Sequence, residues 1–534
     1  MIKEQLPDSW KVTPLSEIAA INPTIDKRNI EDETLVSFVP MPAVEAESGR
    51  IDISICRHFK EVKKGYTGFL ERDVIFAKIT PCMENGKVAV IPKLKNDLGF
   101  GSTEFHVIRA PVGVSPELLY YYVSSKWFRV EAEHNMTGAV GQRRVPTSFL
   151  EATHFPLPPT NEQKRIVAKI EELLSELDNG IAALKTAREQ LNVYRQAVLK
   201  HAFEGKLTAK WREENAAKLE SPEQLLARIQ QERETCYQQQ LEDWKAAVKA
   251  WEANGKEGKK PGKPRALGQT ENPTKEELEL FPERPNTWQW VKLGQLTWSV
   301  KDGPHYSPKY CDSGIPFITG GNVRPSGIDF ENVKYISEDL HEELSKRCKP
   351  AIGDILYTKG GTTGIARVNT YDIEFNVWVH VAVLKVTESV NPFYLQHALN
   401  SPDCYVQSQK YTHGVGNQDL GLTRMVNIIL PICSLEEQKA IVNKVDVINS
   451  ELDSVEDCIS KELKRAKTLR QSILKKAFSG QLVPQDPSDE PASELLERIQ
   501  AEKAAEKAAQ KASVKPKAAA KSGTKRGRKP KVAS

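Results

Sequence analysis

The strongest constraint on this chain is a repeat. Phe155-Pro-Leu-Pro-Pro-Thr-Asn-Glu-Gln-Lys-Arg-Ile-Val167 aligns with Leu430-Pro-Ile-Cys-Ser-Leu-Glu-Glu-Gln-Lys-Ala-Ile-Val442, at an offset of 275 that places Pro156 on Pro431, Gln163 on Gln438 and Ile166 on Ile441. The same offset holds where Arg195-Gln-Ala-Val-Leu-Lys200 meets Arg470-Gln-Ser-Ile-Leu-Lys475, and where Ala202-Phe-Glu-Gly-Lys-Leu207 meets Ala477-Phe-Ser-Gly-Gln-Leu482. A stretch that keeps its length so strictly reads as a helix whose length matters. Each half also opens alike, with Pro7-Asp-Ser-Trp10 and Leu15 matching Pro285-Asn-Thr-Trp288 and Leu293. Inside the halves, Asp73-Val-Ile-Phe-Ala-Lys78 matches Asp354-Ile-Leu-Tyr-Thr-Lys359, and Thr137-Gly-Ala-Val-Gly-Gln142 matches Thr412-His-Gly-Val-Gly-Asn417. Between these anchors the halves diverge, so one architecture carries two different contents. A weaker echo, Leu225-Leu-Ala-Arg-Ile-Gln230 and Leu495-Leu-Glu-Arg-Ile-Gln500, follows each repeat, and the polar segment Asn254 to Pro264 reads as a loose linker joining the halves.

Two kinds of piece follow from the patterning. Ahead of each repeat lie short β-rich runs such as Asp73-Val-Ile-Phe-Ala77, Lys87-Val-Ala-Val-Ile91 and Phe375 to Leu384, bounded by Glu84-Asn-Gly86 and Lys359-Gly-Gly-Thr-Thr-Gly364. Helical patterns run from Pro116 to Phe128 and from Pro392 to Asn400, each opening on a proline that suits a first turn. These are α+β modules with a twisted sheet. Within the repeats, apolar residues step by three or four: Ile166, Ile170, Leu173, Leu177, Ile181, Leu184, Ala187, Leu191, Tyr194, Val198, and again Ile441, Val445, Ile448, Leu452, Val455, Ile459, Leu463, Ala466, Leu469, Ile473. That spacing is a coiled-coil seam, and each helix would be about 60 Å long. A helix with one apolar stripe needs a partner; two equivalent modules related by a two-fold axis would make the pair antiparallel. Gly180 interrupts the first helix at a cost of about 1 kcal/mol relative to Ala and marks a candidate kink.

Length and composition narrow the class. At 534 residues the chain is too long for a single core, and 39% apolar with 27% charged residues is ordinary for a soluble protein. The net charge is only +4, yet Lys515 to Lys531 carries many Lys and Arg with no acid, which reads as a disordered basic tail with affinity for phosphate. The eight cysteines are scattered and form no Cys-x-x-Cys, as expected of reduced thiols. The N-terminus has no apolar signal region and no run reaches the roughly 20 apolar residues of a membrane span, so a cytoplasmic protein is expected. Catalytic signatures are missing: five Gly-Lys pairs (86–87, 205–206, 255–256, 258–259, 262–263) lack a following Ser or Thr, and Asn391-Pro-Phe-Tyr394 lacks the second proline of an Asn-Pro-Pro-Tyr motif. The ten histidines show no metal-ligand spacing. No catalytic or metal residue is assigned.

The doubled frame, with Pro-Leu-Pro-Pro-x-x-Glu-Gln-Lys at the start of the helix and Arg-Gln-Ala-Val-Leu-Lys-x-Ala-Phe-x-Gly-Lys-Leu-Thr at its end, resembles the specificity (S) subunit of type I restriction-modification enzymes over residues 5 to 510. The resemblance implies target recognition domain 1 at 1–160, conserved long helix 1 at 161–205, a helical, charged linker at 206–283, target recognition domain 2 at 284–435, conserved long helix 2 at 436–480, and a helical segment with basic tail at 481–534. It implies that each domain reads one half of a bipartite, asymmetric double-stranded DNA target, that the helix pair sets the spacer, and that two modification (M) subunits and the restriction (R) subunits are partners. The chain itself would be non-catalytic and free of cofactors, with S-adenosylmethionine, ATP and Mg bound by those partners. The rival reading is a coiled-coil scaffold or adaptor without sequence-specific DNA binding.

Two loops per module are candidates for DNA contact, because Lys and Arg meet phosphates while Arg, Gln and Asn read base edges. The first loop supplies Lys78, Glu84, Asn85 and Lys87, or Lys359, Gly360, Thr362 and Thr363; the second supplies Gln142, Arg143 and Arg144, or Asn417 and Gln418. Arg143-Arg144 stands opposite Gln418-Asp419, so either the two modules contact different bases or one copy does not contact DNA.

Overall fold

The computed structural model describes residues 6–139, 141–264, 268, 270–414 and 418–513. The basic tail and Asn417 lie outside the described residues. Contacts divide the chain into two units, Met1–Leu184 with Lys461–Ser534, and Lys185–Ser460.

The first unit carries strands β1 (Lys11–Pro14), β2 (Ala20–Ile21), β3 (Leu35–Val39), β4 (Cys56–His58), β5 (Thr67–Phe69), β6 (Val74–Ala77), β7 (Val88–Val90), β8 (Gly99–Gly101), β9 (Phe105–Arg109) and β10 (His154–Leu157). They form two four-stranded sheets, in the orders β2-β9-β6-β7 and β4-β3-β8-β5, and a β1-β10 pair. The run Val-Ile-Phe-Ala in β6 is apolar throughout because both of its faces are covered. Val74 and Phe76 enter the main core while Ile75 and Ala77 enter a second one, the period-2 alternation of a strand between two cores. The helical pattern after Pro116 is two helices, α1 (Pro116–Ser124) and α2 (Lys126–His134). Ser125 divides them: its backbone is extended and its hydroxyl accepts the Phe128 N–H, capping α2.

Next along the chain come α3 (Thr160–Phe203) and α4 (Pro222–Ala253), and then the strands of the second unit. These are β11 (Gln289–Lys292), β12 (Thr297–Asp302), β13 (Ile315–Ile318), β14 (Val323–Arg324), β15 (Gly327–Ile328), β16 (Lys334–Ile336), β17 (Ile355–Thr358), β18 (Ala366–Val368), β19 (Asn376–Val377), β20 (Val381–Val386) and β21 (Ile429–Ile432). The main sheet runs β12-β20-β17-β18, with β16-β13-β19, β14-β15 and β11-β21 beside it. Again the two faces of one strand serve two cores, Ile355 and Tyr357 in one and Leu356 in the other. Helices α5 (Pro392–Leu399), α6 (Pro402–Tyr411), α7 (Leu435–Phe478) and α8 (Ala492–Ser513) also belong to the described residues.

The two long helices contribute to both units, and in each unit their segments run antiparallel. In the first, Asp178 of α3 pairs with Arg470 of α7, while Glu162 at the start of α3 meets Gln485 beyond the end of α7. In the second, Arg195 of α3 lies 2.7 Å from Asp453 of α7, and Lys444 donates to the Leu207 carbonyl. Asp178 and Asp453, like Arg195 and Arg470, are 275 residues apart, so one contact is made twice by reciprocal partners.

Each module is therefore closed by the helix end that belongs to the other half of the sequence. Phe478 packs on Tyr122 and Phe155, and Phe203 packs on Tyr394. Gly480 lies against Pro7, and Gly205 against Pro285. Two invariants of the frame explain themselves here. The Trp10 indole N–H donates to Glu162 and that of Trp288 to Glu437, both at 2.9 Å, and both carboxylates are buried. Gln163 and Gln438 accept the Ser115 and Asn391 backbone N–H groups at 2.8 Å, fastening the start of each long helix to the loop before α1 or α5.

Three details depart from the sequence pattern. α3 passes through Gly180 without a break. Many seam residues are buried, Leu452, Ile459 and Ala466 in mid-helix included, but Tyr194, Val455 and Leu469 are exposed, while Leu174, Leu199 and Leu474, one position beyond seam residues, are buried. The polar segment after α4 is folded back: the Trp244 and Trp251 indoles donate to the Pro261 and Gly258 carbonyls at 3.0 and 3.2 Å. Among the described residues no helix is long and apolar enough to cross a membrane.

Two glycine substitutions should have opposite signs. A Cβ at Gly180 meets nothing within 4 Å in helical backbone, so Gly180→Ala should stabilise the protein by about 1 kcal/mol. Gly480 has φ +73° and faces the Pro7 ring, so Gly480→Ala should cost about 1–3 kcal/mol. Urea unfolding of both variants measures the two signs, and equal effects would contradict this assignment.

Candidate nucleic-acid interface

The two candidate loops come together in both units, at one end of the four-stranded sheet. In the first unit, loop 78–87 joins β6 to β7 and is bonded to segment 137–145: Thr80 N donates to the Arg143 carbonyl at 3.1 Å and Val145 N to the Lys78 carbonyl at 2.9 Å. In the second, loop 359–365 joins β17 to β18. Leu420 N donates to the Lys359 carbonyl at 2.7 Å and Gly361 N to the Gln418 carbonyl at 3.4 Å. The second loop closes on itself by mutual backbone bonds, between Thr137 and Arg144 in one unit and between His413 and Asp419 in the other. Both platforms rest on the helix beneath them. Gly86 and Gly364 have φ of +68° and +93°, and a side chain at either would strike α2 at Arg129 or α6 at Ser408 and Tyr405.

The side chains then divide into inward and outward sets. In the first unit Arg144 forms a bidentate pair with Glu104, at 2.9 and 2.8 Å, and Lys87 donates to the Met41 carbonyl at 3.1 Å. Glu84 accepts from the Thr80 hydroxyl at 2.8 Å, and its carbonyl is held by Arg129. Asn85 and Gln142 are exposed, and Lys78 is half-buried. The Arg143 guanidinium has a carboxylate, Glu133, no nearer than 3.9 Å.

In the second unit Lys359 is only 2% exposed. Its ammonium donates to Asp419 at 2.7 Å and to the Val379 carbonyl at 3.0 Å, with Asp302 at 3.4 Å. An ammonium so enclosed is spent on holding the platform together. Gly360 is buried beneath the His380 ring, which a side chain at 360 would strike, and Thr363 is buried with its hydroxyl accepting from Gln409 at 3.0 Å. Thr362 and Gln418 are exposed.

The ion pair that anchors the second loop thus has opposite polarity in the two units. Arg144 reaches Glu104 in one; at the equivalent place Asp419 receives Lys359 in the other. Residue types and spacing at the loops showed neither Glu104 nor Asp302, because each lies on a segment distant in sequence. His106 was missed for the same reason. Its Nε2 lies 2.8 Å from the Val145 carbonyl, and burial pushes its pKa below the ordinary value, which favours the neutral ring.

The chain matches the type I restriction modification DNA specificity domain over residues 7–192 and 285–465, and it belongs to that family. It is 30% identical over 381 residues to the EcoAI specificity subunit of Escherichia coli, covering 63% of this chain and 59% of that one. It is 42% identical over 174 residues to the EcoEI specificity subunit of the same species, covering 32% and 28%. The matched regions therefore span less than two thirds of these relatives. The fold is that of the HsdS subunit from Thermoanaerobacter tengcongensis, at TM-score 0.52 and 20% identity over 90% of this chain and 99% of that one.

The latch in the first unit gives a pH test. Hydrogen bonding to Arg144 holds the Glu104 carboxyl below its ordinary value. A lowered carboxylate pKa contributes stability above the unfolded value, near 4.3, and loses it as pH falls through the folded value. Glu104→Gln should speed amide exchange at Thr80 and Val145 by about two- to fivefold, as expected for a partly exposed ion pair. Wild-type protein should show the same loosening only on acidification below the unfolded value; unchanged exchange in the variant would remove Glu104 from the latch.

Proposed function

We propose that the chain is the DNA-reading subunit of a type I restriction-modification complex, in which each unit reads one half of a bipartite, asymmetric target. One observation carries this reading. The same two-loop platform is built twice, by the same backbone bonds at the same end of the sheet, and its outward residues differ: Asn85, Gln142 and Arg143 in one copy, Thr362 and Gln418 in the other. Two separate bases of selection on one scaffold are what an asymmetric target requires.

The outward groups are the base and phosphate contacts of this reading, with Lys78 a phosphate contact, while Lys87, Arg144, Lys359, Gly360 and Thr363 position the loops. The long helices set the spacer between half-sites and carry the surfaces for two M subunits, which methylate adenine; R subunits add cleavage. S-adenosylmethionine, ATP and Mg belong to those partners, and the complex works on DNA in the cytoplasm.

Replacing residues 1–155 by those of a relative, in the complex with its M subunits, should change the methylated motif in one half-site and leave the other intact. Sequencing methylated adenines reads this directly. A change in both halves would contradict the modular reading, and methylation without a bipartite motif would contradict the function itself.

A further inference from the structure

Arg143 and Gln418 hold the same place in the two units. They are 275 residues apart, each precedes the residue whose backbone closes the second loop, and each offers its carbonyl to an N–H of the first loop. The following residues, Arg144 and Asp419, are paired with Glu104 and Lys359, with side chains 42% and 43% exposed. Successive side chains of an extended segment point to opposite faces, so Arg143 and Gln418 face away from those ion pairs. Gln418 is exposed accordingly, and Arg143 keeps its guanidinium beyond hydrogen-bond distance of Glu133, at 3.9 Å. Each is thus the outward polar side chain at the crossing of the two loops, held there by backbone bonds.

The two side chains differ in the base they fit. Arginine matches the O6 and N7 acceptors of guanine bidentately, and glutamine matches N6 and N7 of adenine. We infer that Arg143 specifies a guanine in the half-site read by the first unit, and Gln418 an adenine in the half-site read by the second. This rests on the DNA-reading function proposed above. Lys359 and Arg144, the more conspicuous cations in the sequence, are set aside by their carboxylate partners.

The test uses the full chain in complex with its M subunits, whose methylated motif first defines the target. Affinities are then measured by competition against duplexes in which each base pair is replaced in turn. In wild type, replacing the guanine pair read by Arg143 should weaken binding roughly 5- to 150-fold. In Arg143→Gln that discrimination should disappear or turn towards A·T, with every other pair discriminated as before; Gln418→Arg should shift one pair of the other half-site towards G·C. An affinity loss equal for all duplexes, restored by Arg143→Lys, would mark a phosphate contact and overturn the assignment, as would unchanged discrimination at every pair. A wild-type complex with no bipartite motif would instead refute the DNA-reading function.

Discussion

The structure depends on a buried carboxylate placed at the start of each long helix. Glu162 and Glu437 are 1% and 0% exposed, and a charge taken out of water is costly unless its oxygens are bonded. Each accepts the indole of the tryptophan that opens its own module. The remaining partner comes from beyond the end of the opposite helix: Gln485 for Glu162, and Thr208 with Arg212 for Glu437. One carboxylate therefore ties two distant segments to its own helix, and each module is complete only when the other half of the sequence supplies its part. In the first unit the donors are neutral and burial raises the Glu162 pKa; in the second a guanidinium supplies the countercharge, 2.8 Å away.

This arrangement explains what the two halves keep and what they change. Tryptophan, glutamate, glutamine, the phenylalanine near each helix end and the glycine after it all meet at these junctions, so a change in one needs a compensating change in a remote segment. The loops bear a lighter constraint. They need backbone bonds, a left-handed glycine over the supporting helix and some ionic latch, and the latch serves equally well with Arg144 on Glu104 or Lys359 on Asp419. Outward side chains are held by neither requirement, which leaves them available to carry specificity.

Much of the frame was legible in the sequence because it is repetitive. The long helices and the strands Val74–Ala77 and Ile355–Thr358 follow from aligned segments, whereas the pairing of the two loops shows only in their backbone bonds. What stayed hidden depends on contacts between segments far apart in the chain. Lys359 reads as a phosphate-binding lysine until Asp302 and Asp419 are seen around it. The segment 254–264 reads as a free linker because glycine, proline and lysine dominate it, and nothing local shows that Trp244 and Trp251 will bind its carbonyls. Ser125 divides α1 from α2 through a cap, a choice that apolar periodicity does not register.

The central claim is that each unit is closed by the helix end encoded in the other half, and amide hydrogen exchange of Phe203→Ala measures it. Phe203 follows the first module in sequence but packs on Tyr394, with ring centroids 5.3 Å apart. Protection should fall in β11, β21 and α5, while β1, β10 and α1 exchange as in wild type. Loss of protection in β1, β10 and α1 instead would show that each helix closes its own module, and would contradict the account.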